Sequence, residues 1–287
     1  MMCVSECPTG VFQIRTMDFY SIMGELRKIR APVLSCHVRP GLAAHEKTVC
    51  LGFLSEEHLI ALMSFLRNPL QMNLTECKDC RNDLVAAALR GRLRSVAEKT
   101  FVNALEKIKL VEEKADLHYA DVSCDRRGFF KALKNRAVRK ALGLLDNTKT
   151  EGNTLSYSDK TLPHRRDLLN RSLSGLPGDM RQGGLEHYYY NIEVDETCND
   201  CFACVGVCPT GALKSAEDES DATLFFNSSL CTGCGLCGSF CRNNTVRMRK
   251  GFSGVLPFQF KGAKGGFRRG DSEVHRGSHV EGAFADR

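Results

Sequence analysis

The sequence predicts an α+β chain assembled from several small units rather than one large domain. Three observations carry this. Residues 18–82 alternate short apolar runs with amphipathic stretches, residues 83–145 keep a helical period, and residues 186–250 repeat one cysteine pattern. A chain of 287 residues with 43% hydrophobic content has room for two or three such units.

Residues 1–14 form an opening fragment. In the unit at 18–82, Phe19, Ile22, Met23, Leu26 and Ile29 share one helical face, and a strand follows at 32–34. A second strand is read at 48–51. The next helix starts at Ser55, a capping residue, with Glu56 and Glu57 in its first turn and Leu59, Ile60, Leu62, Met63 and Leu66 facing inward. A third strand runs through Leu70, Met72 and Leu74 after Pro69.

The helical segment at 83–145 rests on Leu84, Val85 and Leu89, then Val102, Leu105, Ile108 and Val111, then Phe129, Leu133 and Leu142. Arg126 and Arg127 look like an export signal, but more Lys and Arg follow them instead of an apolar run. They read as a basic amphipathic helix. Residues 146–185, rich in Ser, Asn, Gly and Asp, read as a linker with one short helix at 165–173. Residues 251–287 are Gly-rich and basic, and read as a disordered tail.

No run of eighteen apolar residues is present, and the first ten residues do not read as an export signal, so a cytoplasmic protein is expected. Charge is uneven: residues 81–145 hold fifteen Lys/Arg against eight Asp/Glu, and residues 186–249 hold four against nine. Solvated faces explain this most simply. The chain has no dinucleotide fingerprint and no phosphate-binding loop, and no convincing nucleophile–base pair stands out. A non-catalytic subunit is therefore favoured over an enzyme, with nucleic-acid binding unlikely.

Fifteen cysteines are far above the usual share, and their tight clusters point to metal ligation rather than disulfides. Cys198, Cys201, Cys204 and Cys208 have the spacing C-x2-C-x2-C-x3-C, and Cys231, Cys234, Cys237 and Cys241 repeat it. Three thiolates at this interval wrap a loop around one iron–sulfur cube and supply three of its four corners. Zinc sites close four ligands around one ion from paired knuckles, which suits overlapping triplets poorly.

Residues 186–250 resemble a bacterial two-cluster ferredoxin, with a strand leading in at 189–194 and another leading out at 246–248. The turn Cys208-Pro209-Thr210-Gly211 adds to the likeness. The resemblance implies a small α+β fold, two [4Fe–4S] clusters and one-electron transfer at low potential. In that family the fourth cysteine ligates the other cube. One set is then Cys198, Cys201, Cys204 and Cys241, and the other Cys231, Cys234, Cys237 and Cys208. Two departures stand out: Phe202 where the second copy has Gly235, and Arg242-Asn243-Asn244 in place of Pro209-Thr210-Gly211. Arg242, beside Cys241, is expected to raise the potential of the first set.

Cys3–Gly10 repeats the Cys204–Gly211 pattern, with Cys3 and Cys7 as third and fourth cysteine. Two thiolates cannot hold a cube. The fragment reads as the remnant of a further 4Fe–4S motif whose first two cysteines would precede Met1.

Cys36, Cys50 and Cys77 each come at or just after the end of a predicted strand, with Cys80 close behind. If the strands are parallel, these sulfurs gather at the carboxyl edge of the sheet, where open α/β sheets bind ligands. The alternative is two buried small hydrophobes and a lone C-x2-C. The stretch resembles the delta-subunit family of methyl-viologen-reducing hydrogenases. That likeness implies a [2Fe–2S] cluster and electron passage between a hydrogenase and its partner. Zinc is the other candidate, with His37, His45 or His58 able to replace one thiolate. The reading as a whole is a cytoplasmic electron-transfer subunit of an oxidoreductase with redox-protein partners of dehydrogenase or hydrogenase type; the alternative is an iron–sulfur redox sensor or scaffold.

Overall fold

The computed structural model describes residues 2–12, 14, 17–39, 41–100, 104–120, 160–173, 175–176, 178–218, 221–252 and 257–263. The basic stretch around Arg126 and Arg127, the linker up to residue 159 and the tail from 264 lie outside them.

Helix α1 (Met2–Glu6) opens the chain and α2 (Phe19–Leu26) follows, its amides capped by the Asp18 carboxylate, which accepts from Ser21 N at 3.0 Å. Phe19, Ile22, Met23 and Leu26 are buried, as their spacing requires. Then come β1 (Val33–Cys36), β2 (Glu46–Thr48), α3 (Glu56–Phe65) and β3 (Leu70–Asn73). All residues of β1 and β3 are buried, the mark of strands covered on both faces. Helices α4 (Leu84–Thr100) and α5 (Ala104–Lys107) lead to β4 (Ile108–Val111).

The four strands form one parallel sheet in the order β2-β1-β3-β4. Residues 108–111 were expected in a helix; they are the edge strand, with Leu70 opposite Ile108 and Asn73 opposite Val111. The reason is geometric. Ile108 and Val111 are three apart, which marks a helix face and equally the two ends of a short buried strand.

The segment read as linker also differs. Helix α6 (His164–Leu173) packs on α3, and α7 (Gly178–Tyr188) packs on α4. Leu168, Leu169, Leu173, Leu185 and Tyr189 join the same core as Leu59 and Leu89. The polar composition hides a leucine stripe that the sheet needs for cover. Close approach of α7 depends on Gly183, where a Cβ would lie 2.3 Å from the Lys99 carbonyl oxygen.

The cysteine-rich unit has its own core. Strands β5 (Tyr190–Val194) and β8 (Val246–Lys250) pair antiparallel, with Ile192 opposite Met248. Between them lie α8 (Ala203–Val207), β6 (Leu213–Asp218), β7 (Asp221–Phe226) and α9 (Leu236–Ser239). Residues 251–252 and 257–263 do not behave as the tail the sequence predicts. Phe252 is buried, β9 (Lys261–Gly262) pairs with β7, and Ser229 N donates to the Pro257 carbonyl at 2.9 Å. An unpaired edge of β7 and an exposed core face hold this segment down.

Candidate metal centres

The two cysteine copies have the same backbone. Left-handed residues occur at Asp200 and Gly233, at Phe202 and Gly235, and at Gly211 and Asn244. Each pair is 33 apart in sequence (231 minus 198). These reversals turn successive amides and thiols toward one centre, and they recur whether or not the residue is glycine. Phe202 and Gly235 are the caps from which α8 and α9 start.

Around the first copy is a cavity of about 140 Å³, lined by Cys198, Cys201, Cys204 and Cys241 with Phe202, Leu224, Arg242 and Val246 among its walls. All four cysteines assigned to the first set therefore face one space. The second set also gathers. Burial pushes the Cys231 thiol up to about 12, against the pull of the Gly233 amide and Arg166, and neighbouring Cys237 and Cys208 add to the rise. Burial likewise raises Cys237, with Cys234 and Cys208 acting the same way. Cys204 is raised to about 11 by burial and then by Cys237, which brings the two sets side by side. Thiols gathered in apolar ground repel as thiolates, so the donor sets suit a positively charged metal core.

Every fourth cysteine carries a threonine hydroxyl on its sulfur. Thr210 lies 3.7 Å from the Cys208 sulfur, and Thr245 lies 3.3 Å from that of Cys241. The opening fragment has the same device, with Thr9 at 3.3 Å from Cys7 and Gly10 at a φ of 70°. Burial is the largest single influence on the Cys7 thiol and raises it, but the Thr9 hydroxyl and the amides of Val11, Phe12 and Thr9 together outweigh it and hold it at about 7. The exposed Cys3 is one turn away.

One short strap joins two of these turns. Thr161 N donates to the Pro209 carbonyl at 3.2 Å, and Lys160 Nζ donates to the Gly206 carbonyl at 2.7 Å. Two residues on, Pro163 packs so closely on Gly10 that a Cβ there would stand 2.6 Å away.

The parallel sheet brings Cys36, Cys50, Cys77 and Cys80 to its carboxyl edge. Cys36 ends β1, Cys50 follows β2, and Cys77 and Cys80 follow β3. Burial raises Cys77 to about 11, and Cys36, Cys50 and Cys80 add to that. Cys50 is raised by burial too, with Cys36 and Cys80 contributing. The site lies where β1 and β3 diverge in connection, the ligand-binding position of such sheets. Among the described residues no three His, Cys, Asp or Glu side chains converge within grip of a single ion.

Two of the three candidate histidines are occupied otherwise. His58 is buried, and its Nδ1 accepts from Ser55 N–H at 3.3 Å, closing the start of α3. His45 Nδ1 accepts from Val33 N–H at 3.1 Å, and His37 is exposed.

The fold and the cysteine arrangement of the C-terminal unit define a ferredoxin-type 4Fe–4S domain. A family model described as a 4Fe-4S dicluster domain matches residues 190–242, which contain all eight of its cysteines. These residues make the chain an iron–sulfur, metal-binding protein with at least one [4Fe–4S] site. No curated protein and no solved structure gives a significant match. Among the described residues no helix is long and apolar enough to cross a membrane.

Proposed function

We propose that this chain is a cytoplasmic electron-transfer subunit whose ferredoxin-type domain holds two [4Fe–4S] clusters. One is bound by Cys198, Cys201, Cys204 and Cys241, the other by Cys231, Cys234, Cys237 and Cys208. The observation that carries the reading is the crossing: each triplet faces a fourth sulfur from the opposite copy. Each cluster supplies a centre that gains and loses one electron at low potential. The chain's own residues do the rest. Left-handed turns aim the thiolates, Phe202, Leu224 and Val246 narrow access for water, and Thr210 and Thr245 place hydroxyls on the fourth sulfurs.

The set Cys36, Cys50, Cys77 and Cys80 is a further metal centre in this reading, a [2Fe–2S] cluster or zinc. Its position at the sheet's carboxyl edge and the likeness to the hydrogenase delta-subunit family support it. With iron–sulfur there, the chain is a relay between a hydrogenase- or dehydrogenase-type donor and a second redox protein. Cys3 and Cys7 are read as the remnant of one more motif.

Anaerobically purified protein is expected to carry about eight iron and eight sulfide in the C-terminal domain. Iron near zero with stoichiometric zinc refutes the reading. Stoichiometric reduction by dithionite and fast reoxidation by a ferredoxin acceptor mark a relay; slow reoxidation marks a sensor. For the N-terminal set, Cys36→Ala, Cys50→Ala, Cys77→Ala and Cys80→Ala should each lower metal content, and four variants with unchanged metal and stability dismiss the site.

A further inference from the structure

Arg166 has no part in the ligand sets. It lies on α6, is 3% exposed, and spends its donors on carbonyls. Its Nε donates to the Ser229 carbonyl at 3.0 Å, Nη2 to the Ser228 carbonyl at 2.8 Å, and Nη1 to the Tyr188 carbonyl. Its guanidinium carbon stands 4.1 Å from the centre of the Tyr189 ring. Among the described residues no carboxylate takes any of these bonds. Glu57, an acid in its field, lies 3.6 Å from Arg165.

A guanidinium keeps its proton in ordinary solution, so a buried one needs negative charge close by. Carbonyl dipoles and an aromatic face supply part of that. Cys231 is a further neighbour. The Ser228 carbonyl that accepts from Arg166 also accepts from the amide of Cys231, at 3.1 Å. The groups facing the cation are Tyr189, Cys231, Glu57 and Tyr190. A cube held by four thiolates is negative in both oxidation states, and more so when reduced.

We propose that Arg166 is a built-in counter-ion of the centre bound by Cys231, Cys234, Cys237 and Cys208, and that it raises the reduction potential of that centre above the value it would have alone. The inference rests on the two-cluster reading above. The step it acts on is simple: the centre takes one electron from dithionite or a donor protein, and returns it unchanged to an acceptor. Arg242, the cation near the other centre, is exposed, so water screens it where Arg166 is shielded. The ordering of potentials expected from Arg242 alone is thereby reversed, with the second centre reduced first.

The test is a redox titration of the anaerobic full-length protein, followed by electron paramagnetic resonance beside iron and sulfide analysis. Cys201→Ser and Cys234→Ser assign the two signals. Arg166→Gln should lower the second midpoint by about tenfold in the reduction equilibrium, about 59 mV for one electron, and leave the first nearly unmoved. Arg166→Lys, which keeps the charge and loses the fork of bonds, should stay close to wild type. Full iron with an unshifted second midpoint in Arg166→Gln overturns the inference and leaves the two-cluster reading intact. If Arg166→Gln does not load, Arg166→Lys decides: a midpoint near wild type supports the counter-ion, and a large fall despite the retained charge overturns it. Wild type without iron rejects the underlying reading instead.

Discussion

The two cysteine copies, residues 198–211 and 231–244, share a backbone and differ in what surrounds it. At the first left-handed position the first copy has Asp200 and the second has Gly233. The difference is not free choice. A Cβ on Gly233 would sit 2.3 Å from the Tyr190 ring, whereas Asp200 already carries one. At the second position Phe202 packs on the domain core while Gly235 faces open space. At the third, Gly211 is replaced by Asn244, a residue that tolerates the left-handed turn. The first copy opens onto a cavity and a surface arginine; the second leans on helix α6 and a buried one. The backbone reversals of the two copies therefore match, and the contacts around them do not. Potential is set in those surrounding contacts.

Breaking the crossing should give the largest effect. Cys208→Ser is expected to cost the cluster of the second triplet, and Cys241→Ser that of the first, each removing about four of eight irons. Loss of the cluster adjacent in sequence, rather than the crossed one, would falsify the assignment. Next in size is Gly233→Ala, which adds a left-handed Cβ and a clash with Tyr190; a cost of about 1–3 kcal/mol in thermal or urea unfolding is expected. The matching change Asp200→Gly should be close to neutral, and equal effects would erase the asymmetry between the copies. Arg242→Gln should lower only the first midpoint, by threefold or less in the equilibrium, about 28 mV. A shift larger than that of Arg166→Gln would invert the ranking drawn from burial. The smallest effect belongs to Asn244. Asn244→Gly should leave stability within about 0.5 kcal/mol. Asn244→Val should cost about 1–2 kcal/mol, because a β-branched residue resists the left-handed region.

Much of the cysteine chemistry was readable from spacing. The repeated spacing marks the 4Fe-4S domain that the family model matches, and cysteines at strand ends share the carboxyl edge once the sheet is parallel. What could not be read depended on cover. Residues 164–188 are polar on average, and only the sheet's need for a second layer of helices reveals their leucines as core. Ile108 and Val111 fit both a helix and a short strand, and the pairing with β3 decides. Arg166 did leave a trace. It falls in step with Leu169 and Leu173 at positions i, i+3 and i+7 of α6, where an apolar side chain is expected. A cation on that stripe signals a buried charge awaiting a partner, and composition averaged over a linker conceals it.

The strap at Lys160–Pro163 bears on speed. Four residues span no more than about 14 Å, so the turn at Gly10 and the turn at Gly211 are held at a fixed, short separation. Many redox chains carry electrons on a domain that swings between two docking positions, and their turnover is limited by that swing. Here the strap is bonded at one end and packed at the other, and the helices that follow it are part of the sheet's own core. On the relay reading proposed above, passage between the α/β unit and the ferredoxin-type domain would be timed by distance through packed protein, with no waiting for a domain to diffuse.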